Sequence, residues 1–385
     1  MMWYKGSPEL VSGAVTDGVP AAVPVAQPAV ESKPRGRPAH IVSEHIRLGV
    51  IGCGRISQAA HLPAIAKAEN VELKAVCDAS TTLANTMALR YGASAFYTAN
   101  DLLGAPVDAV LIAVPDRFHA AVARQALQAG KHVIVEKPIA TTVTESQELR
   151  DLARSAGLEL QVANMKRFDP GVQYAAEAVA KIGPLRSVVG WCRVMSQLRA
   201  PIEATFFPPL VVDATAQAQE LEYKAAHRAE HLLATHGIHT VDLLRYLAGD
   251  YAIHGAVLSH NERDYSWHAL GRFPDGAALS LEVTASVHAE WSEGFDLYGD
   301  AGHIRLRCPF PFTRQPSSVR VFTEANQAYA EPVFGDSDPY ERQIEAFARG
   351  VLLGKTTVPT ADDGIEALKV IDAIRDAASR QAAHG

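Results

Sequence analysis

The chain has 385 residues, 48% of them apolar, with 43 acidic against 36 basic side chains and a net charge of −7. That length suits two domains plus a tail, and the acidic balance gives no reason to expect a nucleic-acid or anionic-membrane partner. No apolar run approaches a membrane span, no export signal is read at the N-terminus, and four scattered cysteines without a CxxC pair point to a reducing cytoplasm rather than to disulfides or a zinc knuckle.

Residues 1–44 are rich in Ala, Pro, Val and Gly, carry no helical or strand period, and are expected to form an extended or disordered arm. Within it Lys33–Pro38, KPRGRP, resembles the AT-hook core that enters A·T minor grooves. The arm also holds acids and the whole chain is acidic, so this element reads as a solvated basic spacer. From Ile46 onward, short β-rich runs (IRLGVIG, VELKAVCD, VDAVLIAVP, KHVIVEKP) alternate with helical ones (ISQAAHLPAIAKA, TTLANTMALRYG, DRFHAAVARQALQAG). TESQELRDLARSAG and LELQVANMKRF continue the alternation, which predicts an α/β domain over 45–168 with a doubly wound parallel sheet covered on both faces.

After Pro170 the pattern changes. A helix near Val172–Ile182 precedes the strand LRSVVGWCRV, and a polar, irregular stretch is expected from Ser196 to Arg228. The helix THGIHTVDLLRYLAG follows, with Ile238, Val241, Leu244 and Leu247 at helical spacing. Strand-like runs with turn signals at Pro274-Asp275-Gly276 and Gly299–Gly302 predict an antiparallel sheet. Helices near Tyr340–Leu353 and Asp362–Arg380 close the chain, so 169–385 reads as a second, α+β domain.

GVIGCGRIS lies between a strand and a helix. Gly52 and Gly54 match the first two glycines of GxGxxG, and Ser57 takes the third place. The first glycine makes a tight turn and the second admits a pyrophosphate to the helix N-terminus, so Gly52, Gly54, Arg55 and Ile56 are the candidates for holding it. Asp78 ends the second strand, 24 residues after Gly54, where a ribose-binding carboxylate is expected. A carboxylate there accepts from the 2′-hydroxyl and repels a 2′-phosphate, which favours NAD over NADP. Ligands of such sheets bind beyond the carboxyl ends of the strands. Ala113, Pro115 and His119 in AVPDRFH, with Glu136 and Lys137 in EKP, stand at that edge and complete the cofactor-binding set. Lys137 there is placed to lower an alcohol's pKa or polarise a ketone.

Together GVIGCGRIS, AVPDRFHAAVARQALQAGKHVIVEKPIA, MKRFDP, HGIHTVDLLRYLAG and TADDGIEALKVIDAI resemble, in order, the Gfo/Idh/MocA oxidoreductase family. The resemblance covers about residues 46–380. It implies a Rossmann domain followed by an open-faced, largely antiparallel sheet domain, with NAD(P) as cofactor, a sugar or cyclitol as substrate, and a dimer or tetramer. It also implies Lys137 as the catalytic lysine and His239 as the general acid/base, a role suited to an imidazole that titrates near neutrality. Arg167, Thr235 and His236 are the substrate-binding candidates. Members of the inositol dehydrogenase type carry an Asp four residues before that histidine. Here Thr235 stands instead, able to cap a helix start but not to supply the charge. Asp242, one turn after His239, is a possible compensator that helix geometry alone does not aim at the imidazole. His231, His236 and His239 raise a metal site, but no carboxylate or cysteine set stands at ligand spacing and none is expected. Beside a dehydrogenase, the resemblance admits a silent NAD-binding transcriptional regulator, and an enzyme with tightly held NAD that epimerises sugars or cleaves glycosides.

Overall fold

The computed structural model describes residues 44–195, 210–287 and 290–382. The arm expected over 1–44, with KPRGRP, lies outside them except for Glu44. Six short runs form one parallel sheet: β1 (Ile46–Ile51), β2 (Val71–Cys77), β3 (Ser94–Phe96), β4 (Ala109–Ile112), β5 (His132–Val135) and β6 (Leu160–Val162), in the order β3-β2-β1-β4-β5-β6. Their side chains are apolar on both faces because helices cover both. The strands alternate with α1 (Leu62–Ile65), α2 (Thr81–Tyr91), α3 (Ala99–Leu103), α4 (His119–Gln128) and α5 (Val143–Ala156), and one π-helical turn, Ser57–His61, leads into α1. Strand order reverses between β1 and β4, so a crevice opens at their carboxyl ends.

After α6 (Pro170–Val179) the chain enters β7 (Leu185–Met195), the middle of an eight-stranded sheet. Its other strands are β8 (Ala252–His260), β9 (Tyr265–Arg272), β10 (Ala278–Val287), β11 (Ser292–Gly299), β12 (Gly302–Cys308), β13 (Ser318–Thr323) and β14 (Ala328–Ala330). All neighbours pair antiparallel except β7 with β10. One face carries Val188, Leu281, Phe295 and Leu306 into a core with Val241, Leu244, Ile371 and Ile374 from α9 (Ile238–Ala248) and α11 (Ala361–Ala382). Val189, Val257, Leu270, Tyr298 and Tyr329 are exposed on sheet strands, as an open-faced sheet requires. The chain also returns to the first sheet. Ile344, Phe347, Ala348 and Val351 of α10 (Pro339–Leu353) are buried with Ile46, Leu48 and Val50, each side chain larger than alanine contributing about 1.5–3 kcal/mol.

Part of the stretch expected to be irregular is helical: α7 (Ala214–Ala226), capped by the Asp213 side chain on the N–H groups of Thr215 and Ala216, and then α8 (Arg228–Leu232). None of the α7 side chains is fully buried, so no apolar period announces it. Ala, Gln, Glu, Leu and Lys make it a helix on propensity and cap alone. Among the described residues, no helix is long and apolar enough to cross a membrane.

Candidate active site

Gly52 ends β1 with φ at 101°, and a β-carbon there would stand 2.4 Å from the Ala113 carbonyl oxygen. Only glycine lets the ends of β1 and β4 approach so closely. A β-carbon on Gly54 would meet nothing within 4 Å, so the loop is open where a pyrophosphate would come in. Ser57 donates its hydroxyl to the Gly52 carbonyl at 2.5 Å, and Arg55 and Ile56 form the first helical turn. Asp78 accepts from the Cys53 N–H at 2.7 Å and the Ser80 N–H at 2.8 Å. Its carboxylate is thus fixed beside the loop, with a second lone pair on each oxygen for ribose hydroxyls. An open glycine turn, a helix start and a fixed acid fit a dinucleotide. Burial pushes the Cys53 and Cys77 thiols up to about 12, which keeps them inert. All four cysteines are free.

At the ends of β4 and β5 the expected cofactor residues serve unequal roles. Ala113 backs the glycine turn, and Pro115 opens a short turn over Asp116–Phe118. His119 is buried, with its ring nitrogens 2.7 Å from the Pro138 carbonyl and 2.9 Å from that of Val114. It pins the loop after β4 to the cis Lys137–Pro138 turn. Glu136 faces inward as well: its carboxylate meets His61 Nε2 at 2.8 Å and accepts from the Lys137 N–H at 3.1 Å. Burial works against its charge, but the His61 hydrogen bond and the charge of Lys137 outweigh it and hold the carboxyl below its ordinary range.

Lys137 extends to the Thr235 carbonyl at 3.5 Å. Thr235 does not cap a helix start. It lies in a π-helical turn, Leu233–Gly237, inside a run that continues from α8 into α9. His239 therefore sits mid-run rather than at a fresh N-terminus. Burial, then the charges of Lys137 and Lys166, push its imidazole well below its ordinary value, and His236 adds to this. Lys166 forms a buried ion pair with Glu293, which holds its ammonium charged against burial.

Asp242 does not face His239. It takes a bidentate contact from Arg167, Nε to Oδ2 at 2.9 Å and Nη2 to Oδ1 at 2.7 Å, while Arg167 Nη1 donates to Asp363 at 3.1 Å. The guanidinium expected to meet substrate is thus engaged by two carboxylates. His231 Nδ1 stands 3.3 Å from the Thr235 hydroxyl and 3.8 Å from Asp116. Arg117 pairs with Glu220 of α7 and stacks on Tyr223 at 4.4 Å, and Gln58 bridges the Cys53 carbonyl to both backbone groups of Val211. None of His61, Asp116, Gln58 or Glu293 was singled out from sequence. Asp116 alone gave a signal, a carboxylate beside the cofactor edge. Among the described residues no His, Cys, Asp and Glu set is placed to hold a metal.

A parallel dinucleotide-type sheet joined to an open-faced sheet, with a lysine at the crevice, defines a Rossmann oxidoreductase architecture. Residues 46–164 match the family profile "Oxidoreductase family, NAD-binding Rossmann fold" and 216–383 match "Oxidoreductase family, C-terminal alpha/beta domain". The chain belongs to the Gfo/Idh/MocA oxidoreductase family. It is 26% identical to a dTDP-3,4-didehydro-2,6-dideoxy-alpha-D-glucose 3-reductase of Actinomadura kijaniata, over 86% of this chain and 96% of that protein. It is 28% identical to an inositol 2-dehydrogenase/D-chiro-inositol 3-dehydrogenase of Shouchella clausii, over 85% and 90%. A 3-ketoreductase from Actinomadura kijaniata, solved with NADP, shares the fold at a TM-score of 0.69 and 24% identity, over 86% and 97% of the two chains. An NAD-binding oxidoreductase from Klebsiella pneumoniae does so at 0.73 and 20%, over 88% and 98%.

Proposed function

We propose that this protein is an NAD(P)-dependent oxidoreductase that interconverts a secondary hydroxyl and a ketone on a sugar, cyclitol or sugar derivative. The observation that carries the reading is Lys137, which follows β5 at the carboxyl edge of the parallel sheet and reaches the Thr235 carbonyl. Gly52, Gly54, Arg55 and Ile56 would hold the pyrophosphate, and Asp78 the adenosine ribose. The bound dinucleotide supplies the hydride acceptor or donor. Lys137 polarises the substrate oxygen through a charge-assisted hydrogen bond, and the Glu136–His61 pair fixes the backbone from which it extends. His239 meets the same oxygen as a neutral imidazole, since burial and two ammonium groups oppose its protonation. The relatives' names support the substrate class, and a screen of polyols, cyclitols, aldoses and keto-sugars read by NAD(P)H absorbance tests it. Failure of every substrate despite dinucleotide binding would refute the reading.

Relatives that hold or are named for NADP put it on a par with NAD by likeness, against the expectation from sequence, and only Asp78 speaks for NAD. A carboxylate tied to two backbone N–H groups cannot swing away from a 2′-phosphate. Asp78→Ala should narrow the preference, and equal affinity for both dinucleotides in the unmutated protein would remove it. The exposed apolar side chains of the open sheet favour a homodimer or homotetramer, which sedimentation measures.

A further inference from the structure

A second imidazole lies next to the residue that receives Lys137. Asp116 and His231 approach each other from separate elements, the turn after β4 and α8, and the Thr235 hydroxyl completes the contact on the same Nδ1. Thr235 also receives the Lys137 ammonium on its carbonyl, so the lysine and the imidazole meet at one residue. Neither acid nor imidazole is sealed in. Their side chains are 21% and 18% exposed, whereas those of His61 and His119 are buried against protein. An imidazole oriented by a carboxylate on one nitrogen, with the other left to exchange a proton, is the arrangement of a general base.

We infer that His231, oriented by Asp116 and Thr235, is the proton carrier of this oxidoreductase and faces the substrate hydroxyl across from Lys137. The inference rests on the oxidoreductase reading and deepens it. In oxidation the substrate O–H bond breaks and its proton goes to His231 Nε2. The O–H electron pair becomes the second C–O bond, and the hydride leaves carbon for the dinucleotide. Reduction reverses each transfer. The imidazolium formed is paired with the Asp116 carboxylate, which the His231 contact already holds at about 2 against the opposing effect of burial. The other charged or titratable groups near the dyad are His119, whose charge also acts on Asp116, Arg117, itself paired with Glu220, Lys137 behind Thr235, and Glu230 and His227 along α8.

The test has two arms on the full-length chain. In the ligand-free protein, histidine ¹⁵N resonances are recorded in the unmutated form and in Asp116→Asn. The facing carboxylate should hold His231 in the Nδ1–H tautomer, and Asp116→Asn should shift it toward Nε2–H. In the second arm, His231→Gln should retain dinucleotide affinity and thermal stability. It should lose about 10²- to 10⁴-fold in turnover. A His231 tautomer indifferent to Asp116→Asn would overturn the dyad. Turnover by His231→Gln within twofold of the unmutated protein, with His239→Gln inactive, would return the role to His239. No turnover of any substrate by the unmutated protein would overturn the function reading and the catalytic role together, even with the tautomer as expected.

Discussion

Replacing Asp242 by alanine leaves the Arg167 guanidinium buried with one carboxylate instead of two. The side chains of Arg167 and Asp242 are 10% and 2% exposed, and their contact is bidentate. Burial opposes the charge on both partners. Arg167, facing Asp242 and Asp363, is nonetheless held above its ordinary value, whereas Asp242, deeper and beside Asp363, is pushed up. The two-pronged geometry fits an ionic pair, so the direction on the arginine is the one that governs. Breaking a buried pair by removing one partner costs about 3–5 kcal/mol. Asp363 remains at 3.1 Å and places Asp242→Ala near the lower end, about 3 kcal/mol or roughly a hundredfold in the folding equilibrium. Arg167→Met should cost a comparable amount, and Arg167→Met with Asp242→Leu should recover much of it, because no charge is then stranded. Urea denaturation midpoints measure all three, with dinucleotide affinity as a control. Unchanged midpoints, with a KM for sugar raised tenfold or more in Arg167→Met, would refute this account and restore Arg167 as a substrate-binding residue.

Lys137→Met should keep dinucleotide affinity within twofold and lose about 10²- to 10⁴-fold in turnover; an unchanged rate would make the lysine structural. Gly54→Ala should leave thermal stability unaltered while weakening dinucleotide binding, since its β-carbon enters open space; Gly52→Ala should lower both, since its β-carbon collides with Ala113. Acid should destabilise the fold through Asp116, whose carboxyl is drawn from 3.8 to about 2. A depressed carboxyl stabilises fully above its unfolded value, here near pH 4, and the contribution of roughly 2 kcal/mol disappears as pH falls toward 2. Asp116→Asn should therefore lose stability near pH 5 but little at pH 2, and equal losses at both would contradict the linkage.

What the sequence exposes here depends on how local each cause is. The four longer apolar runs of the first sheet, the glycine turn and the lysine after β5 all announce themselves within a dozen residues, because burial on two faces and a tight turn constrain residue type locally. Gln58 does not: it reads as a polar helix residue, yet its amide ties the glycine loop to Val211 far along the chain. His61 reads as an ordinary helix residue until β5 brings Glu136 to it. The α7 helix shows no apolar stripe because it buries none, and its anchor is a pairing of Glu220 with Arg117 from the other sheet. These causes are tertiary, and no window along the chain contains both partners.

Position 235 shows why a lost charge in a motif is not a lost function. On spacing alone, threonine in place of the family's aspartate removes the anion that would support an imidazolium, and Asp242 is the only nearby acid on the same helix. The structure commits Asp242 to Arg167 and leaves it no part in the cleft. A π-helical turn over Leu233–Gly237 shifts carbonyls out of the ordinary i→i+4 ladder, and the Thr235 carbonyl is the group that receives Lys137. The Thr235 hydroxyl meets His231, and His231 meets Asp116, a carboxylate delivered by the first sheet. In the proposed dyad the anion absent from the helix comes from the turn after β4, paired with a different imidazole. Restoring the family residue should expose that rearrangement: Thr235→Asp would set a second carboxylate on the His231 nitrogen. It should raise the fraction of the Nδ1–H tautomer read from the histidine ¹⁵N resonances, and a fraction that stayed in place would separate Thr235 from the dyad.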